Sequence, residues 1–131
     1  MNDVASHPPP GAQLLGREWL GFDESGHALI RFQATSTFTN RHGTIQGGFL
    51  AAMLDSATGI GALAALSPDL TVVTRSLDTR FLKPAAVGAI TARARVVERT
   101  DRDMVVQAEL VDANGITVAD ATARLRILAK K

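Results

Sequence analysis

The sequence contains no cysteine and no tyrosine, and its 131 residues include only five phenylalanines and one tryptophan. The lack of cysteine excludes disulfides, thiolate nucleophiles and cysteine-ligated metals, and it fits a reducing compartment. Hydrophobic residues nevertheless make up 46% of the chain. Its core must therefore be built mainly from Ala, Val, Leu and Ile, and the length suits one compact domain.

The chain also lacks an excess of charge of either sign. Fourteen Lys and Arg residues stand against thirteen Asp and Glu, for a formal net charge of +1. Without a cationic excess to displace counterions from phosphates, nucleic acid is not expected as the main partner.

No segment of the sequence predicts membrane insertion or export. A basic segment followed by an apolar run is absent from the first residues, so no signal peptide is expected. The longest helix-like apolar stretch, residues 47–66, contains Asp55 and several glycines. It predicts a buried helix of a soluble protein and not a membrane span, and we expect a cytoplasmic protein.

The pattern along the chain predicts a flexible arm over residues 1–11, where three prolines follow one another, and a single domain over 12–131. Within the domain, alternation of apolar and polar residues marks strands, and Asn114-Gly115 is typical of a hairpin turn. The predicted elements are a helical turn at 12–16, strands at 17–22 and 28–35, a loop at 35–46, a helix at 47–66, and strands at 70–83, 89–98, 104–111 and 116–128.

This order of elements predicts an α+β fold. Apolar or small residues occur on every side of the long helix, as in a helix that is buried all round. We expect an antiparallel sheet of about six strands, the last four forming a meander, to wrap its apolar face around that one helix.

Most catalytic motifs are absent from the sequence. It contains no nucleophile elbow, no P-loop and no glycine-rich dinucleotide fingerprint. His7, His27 and His42 are far apart, and no pair has the spacing of metal ligands. We therefore expect no metal site.

Asp55 is the exceptional acidic residue. It lies within the apolar stretch, and positions 51, 52, 58 and 59, its helical neighbours, carry no basic residue. A carboxylate buried there would be costly unless another group satisfied it, and such groups concentrate at functional sites. The structural alternative is an aspartate bonded to a strand hydroxyl or capping a neighbouring backbone.

A polar loop, residues 40–48, precedes the helix and ends in Gly47-Gly48. Unpaired N–H groups at a helix start, with glycine permitting close approach, can bind a developing oxyanion. The structural alternative is a tight turn that only leads into the helix.

The spacing of these two features predicts a dimer. Asp55 lies eight residues after Gly47, about 12 Å along a helix, so one carbonyl cannot touch both groups in a single chain. A two-fold dimer with antiparallel helices would bring the aspartate of one chain to the glycine of the other. An exposed sheet edge also favours pairing with a second chain.

Three segments of the sequence resemble those of a known family. They are the loop Asn40-x-x-Gly43-Thr44-x-Gln46-Gly47-Gly48, the helix segment Ala51-Ala52-Met53-Leu54-Asp55 and the strand end Phe81-Leu82-Lys83-Pro84-Ala85. Together with the order of elements, they are similar to the hotdog-fold acyl-CoA thioesterases of the PaaI-like, phenylacetate-pathway type. The resemblance covers residues 16–128. It implies the hotdog fold, hydrolysis of acyl-CoA thioesters and a homodimer or a dimer of dimers.

The resemblance also implies roles for individual residues. Asp55 would serve as nucleophile or as general base for water, and the Gly47 amide would polarise the thioester carbonyl. Asn40 would position the carbonyl or water. Gln46 stands where many relatives have histidine, and it would position substrate or backbone without carrying a proton.

A hydroxyl ten residues before the strand-ending proline assists in the family, which implicates Thr74. The parity of Thr74 along the strand is opposite to that of Leu77 and Phe81. A bulge between them is therefore required if all three are to face the helix.

The chemistry implied by the resemblance needs no cofactor, because coenzyme A is part of the substrate and a thiolate leaves readily. His42 is expected to be a solvated loop residue. Five cations are candidates for the coenzyme A phosphates, and the sequence does not choose among them: Arg75, Arg80, Lys83, Arg93 and Arg95.

Two other functions are compatible with the same residues. One is a non-catalytic acyl-CoA binding domain. The other is a hotdog hydratase acting on enoyl thioesters, which normally requires a catalytic histidine in a suitable loop.

Overall fold

The chain is described by a computed structural model that covers residues 4 and 7–131. The alternating segments form strands and the long apolar segment forms a helix, as predicted. The elements in chain order are α1 (Pro10–Leu14), β1 (Glu18–Phe22), β2 (Ala28–Ala34), a 3-10 turn (Ser36–Phe38), α2 (Gly47–Ala64), β3 (Leu70–Phe81), β4 (Gly88–Arg99), β5 (Asp103–Val111) and β6 (Thr117–Ala129).

The six strands form one antiparallel sheet in the order β1-β2-β4-β5-β6-β3. The predicted α+β class, the strand number and the antiparallel pairing are confirmed. The predicted four-strand meander is wrong, because β3 pairs with β6 at one edge and β4 pairs with β2. Alternation shows that a segment is a strand, but it carries no information about which strand lies beside it.

The helix α2 lies against the inner face of this sheet and contacts β2, β3, β4, β5 and β6. Its buried side chains include Leu50, Met53 and Leu54, which pack with the inward residues of the strands. A Cβ at Gly61 would lie 3.2 Å from the Cβ of Ala94 on β4. Small residues at this contact therefore let the helix approach the sheet closely.

One face of α2 is not covered by the sheet. Gly48, Ala52 and Asp55 are exposed along it, and Ser56 and Gly59 are half-buried. The prediction that the helix is buried all round is therefore wrong for the single chain, because β1 and β3 are the edges of the sheet and do not pair with each other. We call these five residues the open face of α2.

A bulge in β3 sets which of its side chains point toward α2. Thr74 pairs with Leu125 and Ser76 pairs with Arg124, so Arg75 is an extra residue in the strand. Directly paired residues point to the same side of a sheet, and Leu125 is buried in the core. Thr74 therefore points to the helix side. The bulge that lets Thr74 face the helix together with Leu77 and Phe81, as the sequence required, is therefore present.

The N-terminal part differs slightly from expectation. The first helical turn begins at Pro10, two residues earlier than predicted, and proline suits this position because its missing N–H would be unpaired there anyway. The predicted flexible arm over residues 1–11 lies in part outside the described residues. Within the described residues, α2 is the one helix long and apolar enough to suit a membrane span, and its packing in the core accounts for that hydropathy.

Candidate active site

The structure brings Asp55 and Thr74 together in one chain. The Thr74 hydroxyl Oγ1 donates a hydrogen bond of 2.8 Å to Asp55 Oδ1. Asp55 is placed by the third turn of α2, and Thr74 is directed toward it by the bulge of β3. Two residues that the sequence singled out separately, 19 positions apart, therefore form one polar pair at the border of the open face.

Asp55 is exposed in the single chain, which corrects the expectation that it is buried among apolar side chains. The exposure arises because Asp55 points out of the core between the two edge strands. An exposed carboxylate needs no partner to offset desolvation, and exposed polar contacts contribute little to folding. The Thr74 bond is therefore not required for stability, and Asp55 remains accessible to water and to a ligand.

The start of α2 carries free donors. Gln46 is the N-cap but makes no side-chain capping bond, and the first turn contains no acidic residue. The Gln46 carbonyl accepts hydrogen bonds from the amides of Phe49 and Leu50 at 2.9 and 3.3 Å. Across the described residues, no acceptor is bonded to the amides of Gly47 and Gly48. These N–H groups can therefore bind an anionic oxygen.

Gly47 also lies under an aromatic ring. A Cβ at this position would lie 3.2 Å from Phe81 Cζ. The Phe81 side chain is 55% exposed, so its ring borders the helix start on the solvent side. Glycine at position 47 thus permits close packing of Phe81 as well as close approach of a ligand.

Asn40 organises the loop that precedes α2. Its Oδ1 accepts the backbone amides of His42 and Thr44 at 2.9 and 3.3 Å, and its Nδ2 donates to Thr44 Oγ1 at 3.0 Å. The side chain is therefore engaged within its own loop in the free chain. This arrangement makes Asn40 a residue that holds the loop, and any contact with substrate would add to that role.

Gln46 and His42 are both exposed. The Gln46 backbone N–H donates to the Phe38 carbonyl at 2.9 Å, whereas the Gln46 side chain makes no capping hydrogen bond to the helix. Because Phe38 stacks on Phe49 at a centroid distance of 4.4 Å, the helix start is held by packing. Gln46 is thus free to turn toward a ligand, and His42 is solvated as predicted.

The residues of the site divide into two groups within one chain. Asp55 with Thr74 lies about 12 Å along α2 from the free amides at its start, at the 1.5 Å rise per residue of a helix. One group offers a carboxylate oriented by a hydroxyl, and the other offers oxyanion donors. A reacting carbonyl can use both only if the second group comes from another chain.

Two grooves of the described part of the chain lie elsewhere. One, of about 480 Å³, runs over the outer face of the sheet and includes Arg80 and Arg93. Both arginines are already paired, Arg80 with Asp120 and Arg93 with Glu109 and Asp23. The other groove, of about 450 Å³, surrounds the bulge at Arg75. Neither contains Asp55 or Gly47, because the open face of α2 is not enclosed by a single chain.

Sequence reasoning did not identify Arg17 and Ser56. Arg17 lies just before β1, and its Nη1 donates to Ser56 Oγ at 3.0 Å. Ser56 follows Asp55 on the open face. The two residues are 39 positions apart, and neither belongs to a pattern, so no signal in the sequence connects them.

Comparison with protein families gives a match over the part of the chain that contains Gly47, Asp55 and Thr74. The thioesterase superfamily model matches residues 42–119, which include the end of the polar loop, α2, the strands β3 to β5 and the start of β6. The acyl-coenzyme A thioesterase PaaI of Escherichia coli is 31% identical over 109 residues, covering 82% of this chain and 75% of that protein.

Solved structures agree with this match. A phenylacetic acid degradation-related protein of Ralstonia eutropha superposes with a TM-score of 0.84 at 36% identity, with 92% of each chain covered. The structure of E. coli PaaI gives a TM-score of 0.81 at 25% identity, covering 92% of this chain and 85% of that one. The predicted hotdog fold and family resemblance are confirmed. The chain belongs to the thioesterase superfamily, as a PaaI-like member with the hotdog fold, and is a thioester hydrolase.

Proposed function

We propose that the protein hydrolyses acyl-CoA thioesters to a free acid and coenzyme A. The observation that carries the proposal is the exposed Asp55 carboxylate on α2, which the Thr74 hydroxyl of β3 orients by a hydrogen bond. The same helix begins with the two free amides of Gly47 and Gly48. The similarity to an acyl-coenzyme A thioesterase supports the choice of substrate class.

In the proposed reaction, Asp55 either attacks the thioester carbonyl or takes a proton from a water that attacks it. The carbonyl oxygen becomes negative in the tetrahedral intermediate and is stabilised there by the Gly47 amide. As the carbonyl re-forms, the carbon–sulfur bond breaks and coenzyme A leaves as the thiolate. In the route with Asp55 as nucleophile, water then hydrolyses the Asp55 anhydride and releases the free acid. The leaving thiolate needs little help from an acid, because ordinary thiols have a pKa near 8.5. No cofactor is required, since coenzyme A enters as part of the substrate.

We further propose that each site is shared between two chains. Asp55 of one chain and Gly47 of its partner would meet if two α2 helices packed antiparallel through their open faces. The small residues Gly48, Ala52 and Gly59 on that face would permit close approach. A homodimer, or a dimer of such dimers, would then carry equivalent sites, with Asn40 and Gln46 beside the partner's Asp55.

The direct test is the release of free thiol from a panel of short, medium and aryl acyl-CoAs. We expect hydrolysis of at least one of them, measured with a thiol reagent. Tight binding without thiol release would indicate a binding domain, and addition of water to an enoyl thioester that stays intact would indicate a hydratase. Either result would contradict the proposal.

The Thr74–Asp55 bond gives a prediction of its own. Replacement of Thr74 by valine keeps the shape of the side chain but removes the donor, so the carboxylate loses its orientation. We expect kcat/KM to fall about tenfold, the effect of losing one hydrogen bond to a charged group. The matched Thr74→Ser variant retains the hydroxyl and should stay within about twofold of the wild type. Equal activity of the valine variant and the wild type would show that this hydroxyl does not assist.

A further inference from the structure

Arg17 is held in a fixed position beside α2. Gly16 before it has a positive φ of 63°, and a Cβ there would lie 2.9 Å from Gln33 Cβ. Leu15 is buried, and its carbonyl accepts the Gln33 amide at 3.0 Å. The backbone that leads to Arg17 is therefore fastened to β2, and the Arg17 side chain starts from a defined point.

The Arg17 guanidinium has no acidic partner in the described part of the chain. It is half-buried, and burial lowers its pKa below the ordinary value. The two other half-buried arginines are paired with carboxylates, Arg93 with Asp23 and Glu109, and Arg126 with Asp103. The arginines on strands that form no ion pair are exposed to water: Arg75, Arg95, Arg99 and Arg124. Arg17 instead donates to Ser56 Oγ. A guanidinium has five N–H donors, so others remain for a ligand.

A half-buried guanidinium has lost part of its hydration, and an anion that binds it offsets this cost. Within the chain, the nearest acid along the helix is Asp55, which accepts the bond from Thr74 and forms no ion pair with Arg17. In the proposed dimer, the meeting of Asp55 with the partner's Gly47 places Ser56 beside the partner's Gln46. The loop before that residue, positions 40–46, contains Arg41 and His42 but no acid.

Neither the described chain nor this loop of the partner offers an acid to Arg17, and a bound substrate is the source of an anion that the proposed site itself provides. Because Ser56 directly follows Asp55, an anion held by Arg17 would lie near the reacting carbonyl. The phosphates of coenzyme A are separated from the thioester by the long pantetheine arm. The position thus fits a group on the acyl part of the substrate better than a phosphate.

We propose that Arg17 and Ser56 form a subsite for a carboxylate carried by the acyl group, a few carbons from the thioester carbonyl. This inference rests on the proposed function, since it uses the shared site. The planar guanidinium suits a carboxylate because it can donate two parallel hydrogen bonds. Thioesters of dicarboxylic acids would then be bound more tightly than neutral thioesters of the same length.

Binding of thioether analogues tests the subsite without turnover. The probes are a pair of S-alkyl coenzyme A compounds of equal chain length, one ending in a carboxylate and one in a methyl group. We expect calorimetry to show tighter binding of the carboxylate probe by the wild type. Arg17→Gln should weaken that binding about ten- to a hundredfold, and leave binding of the methyl probe within about twofold. Arg31→Gln, at an exposed arginine paired with Glu18, is the matched control and should change neither.

Other outcomes overturn the inference. Equal weakening of the binding of both probes by Arg17→Gln would mean that Arg17 holds the fold or binds a phosphate of coenzyme A. A methyl probe on pantetheine without phosphates distinguishes these two roles, because Arg17→Gln would weaken its binding only if Arg17 holds the fold. An unchanged affinity, or a wild type that does not prefer the carboxylate, would exclude the subsite. Thermal unfolding of Arg17→Gln shows whether the variant is folded, and Arg17→Lys should recover only part of the affinity. Selective binding of the carboxylate probe without thiol release from the matching thioester would contradict hydrolysis and leave the subsite intact.

Discussion

Asp55→Asn is expected to lower kcat on the best acyl-CoA by about a hundred- to ten-thousandfold, the range that a positioned base or nucleophile contributes. An amide neither attacks a carbonyl as a carboxylate does nor accepts the proton of water. KM should change little, because the bound thioester is held mainly by other contacts. The measurement is thiol release under steady-state conditions.

The variant is informative because the fold does not depend on the carboxylate. Asp55 is exposed, and asparagine keeps an oxygen that can accept the bond from Thr74. The melting temperature should therefore match that of the wild type. Asp78→Asn, at an exposed aspartate on β3, the edge strand that also carries Thr74, serves as the control and should retain activity. If Asp55→Asn hydrolyses the best substrate with wild-type kcat/KM, Asp55 does not carry the reaction.

Label on Asp55 after a single turnover in heavy-oxygen water would identify its carboxylate as the nucleophile. If the carboxylate attacks the thioester, an anhydride forms, and its hydrolysis can leave a heavy oxygen on Asp55. If Asp55 instead activates water, the label enters only the acid product. Mass spectrometry of the peptide that contains Asp55 reads out the difference.

The local structure could be predicted well because local patterns determine it. Asp112 Oδ1 accepts hydrogen bonds from the amides of Asn114 and Ile116, and Gly115 has a positive φ of 80°. The predicted hairpin turn is therefore present, although Asn114 does not share the positive φ of a two-residue Asn-Gly turn. The place of β3 could not be predicted in this way. Its pairing with β6 depends on contacts between distant residues, and alternation along one strand is the same whichever neighbour it has.

The site was predictable in part for a similar reason. The motif around Gly47 and Asp55 lies on one continuous segment, so helix geometry alone relates the two residues. The requirement of a bulge at Thr74 also followed from parity. The exposure of Asp55 did not, because apolar residues around a helix do not show which side the sheet leaves open. Arg17 was missed because its contact with α2 exists only in three dimensions.

Gly47→Pro should remove the oxyanion donor with little damage to the backbone. Proline suits the first position of a helix, and the residue before it must be extended, as Gln46 is with a ψ of 137°. We expect kcat to fall about a hundred- to a thousandfold, as for loss of one oxyanion-hole donor. Gly47→Ala is the matched control, because its Cβ meets the Phe81 ring as the proline ring would, while its amide is retained.

Mixing the inactive variants Asp55→Ala and Gly47→Pro should restore activity, because each shared site takes one residue from each chain. In a mixed dimer, one site carries both lesions and the other carries neither. Random exchange makes half of the dimers mixed, so about a quarter of wild-type activity should return, and about half in mixed dimers isolated through two different affinity tags. If each site lay within one chain, every site would carry a lesion. Verified mixed dimers without recovered activity would therefore contradict a site that joins Asp55 of one chain to Gly47 of the other, because every such arrangement leaves one site of the mixed dimer intact.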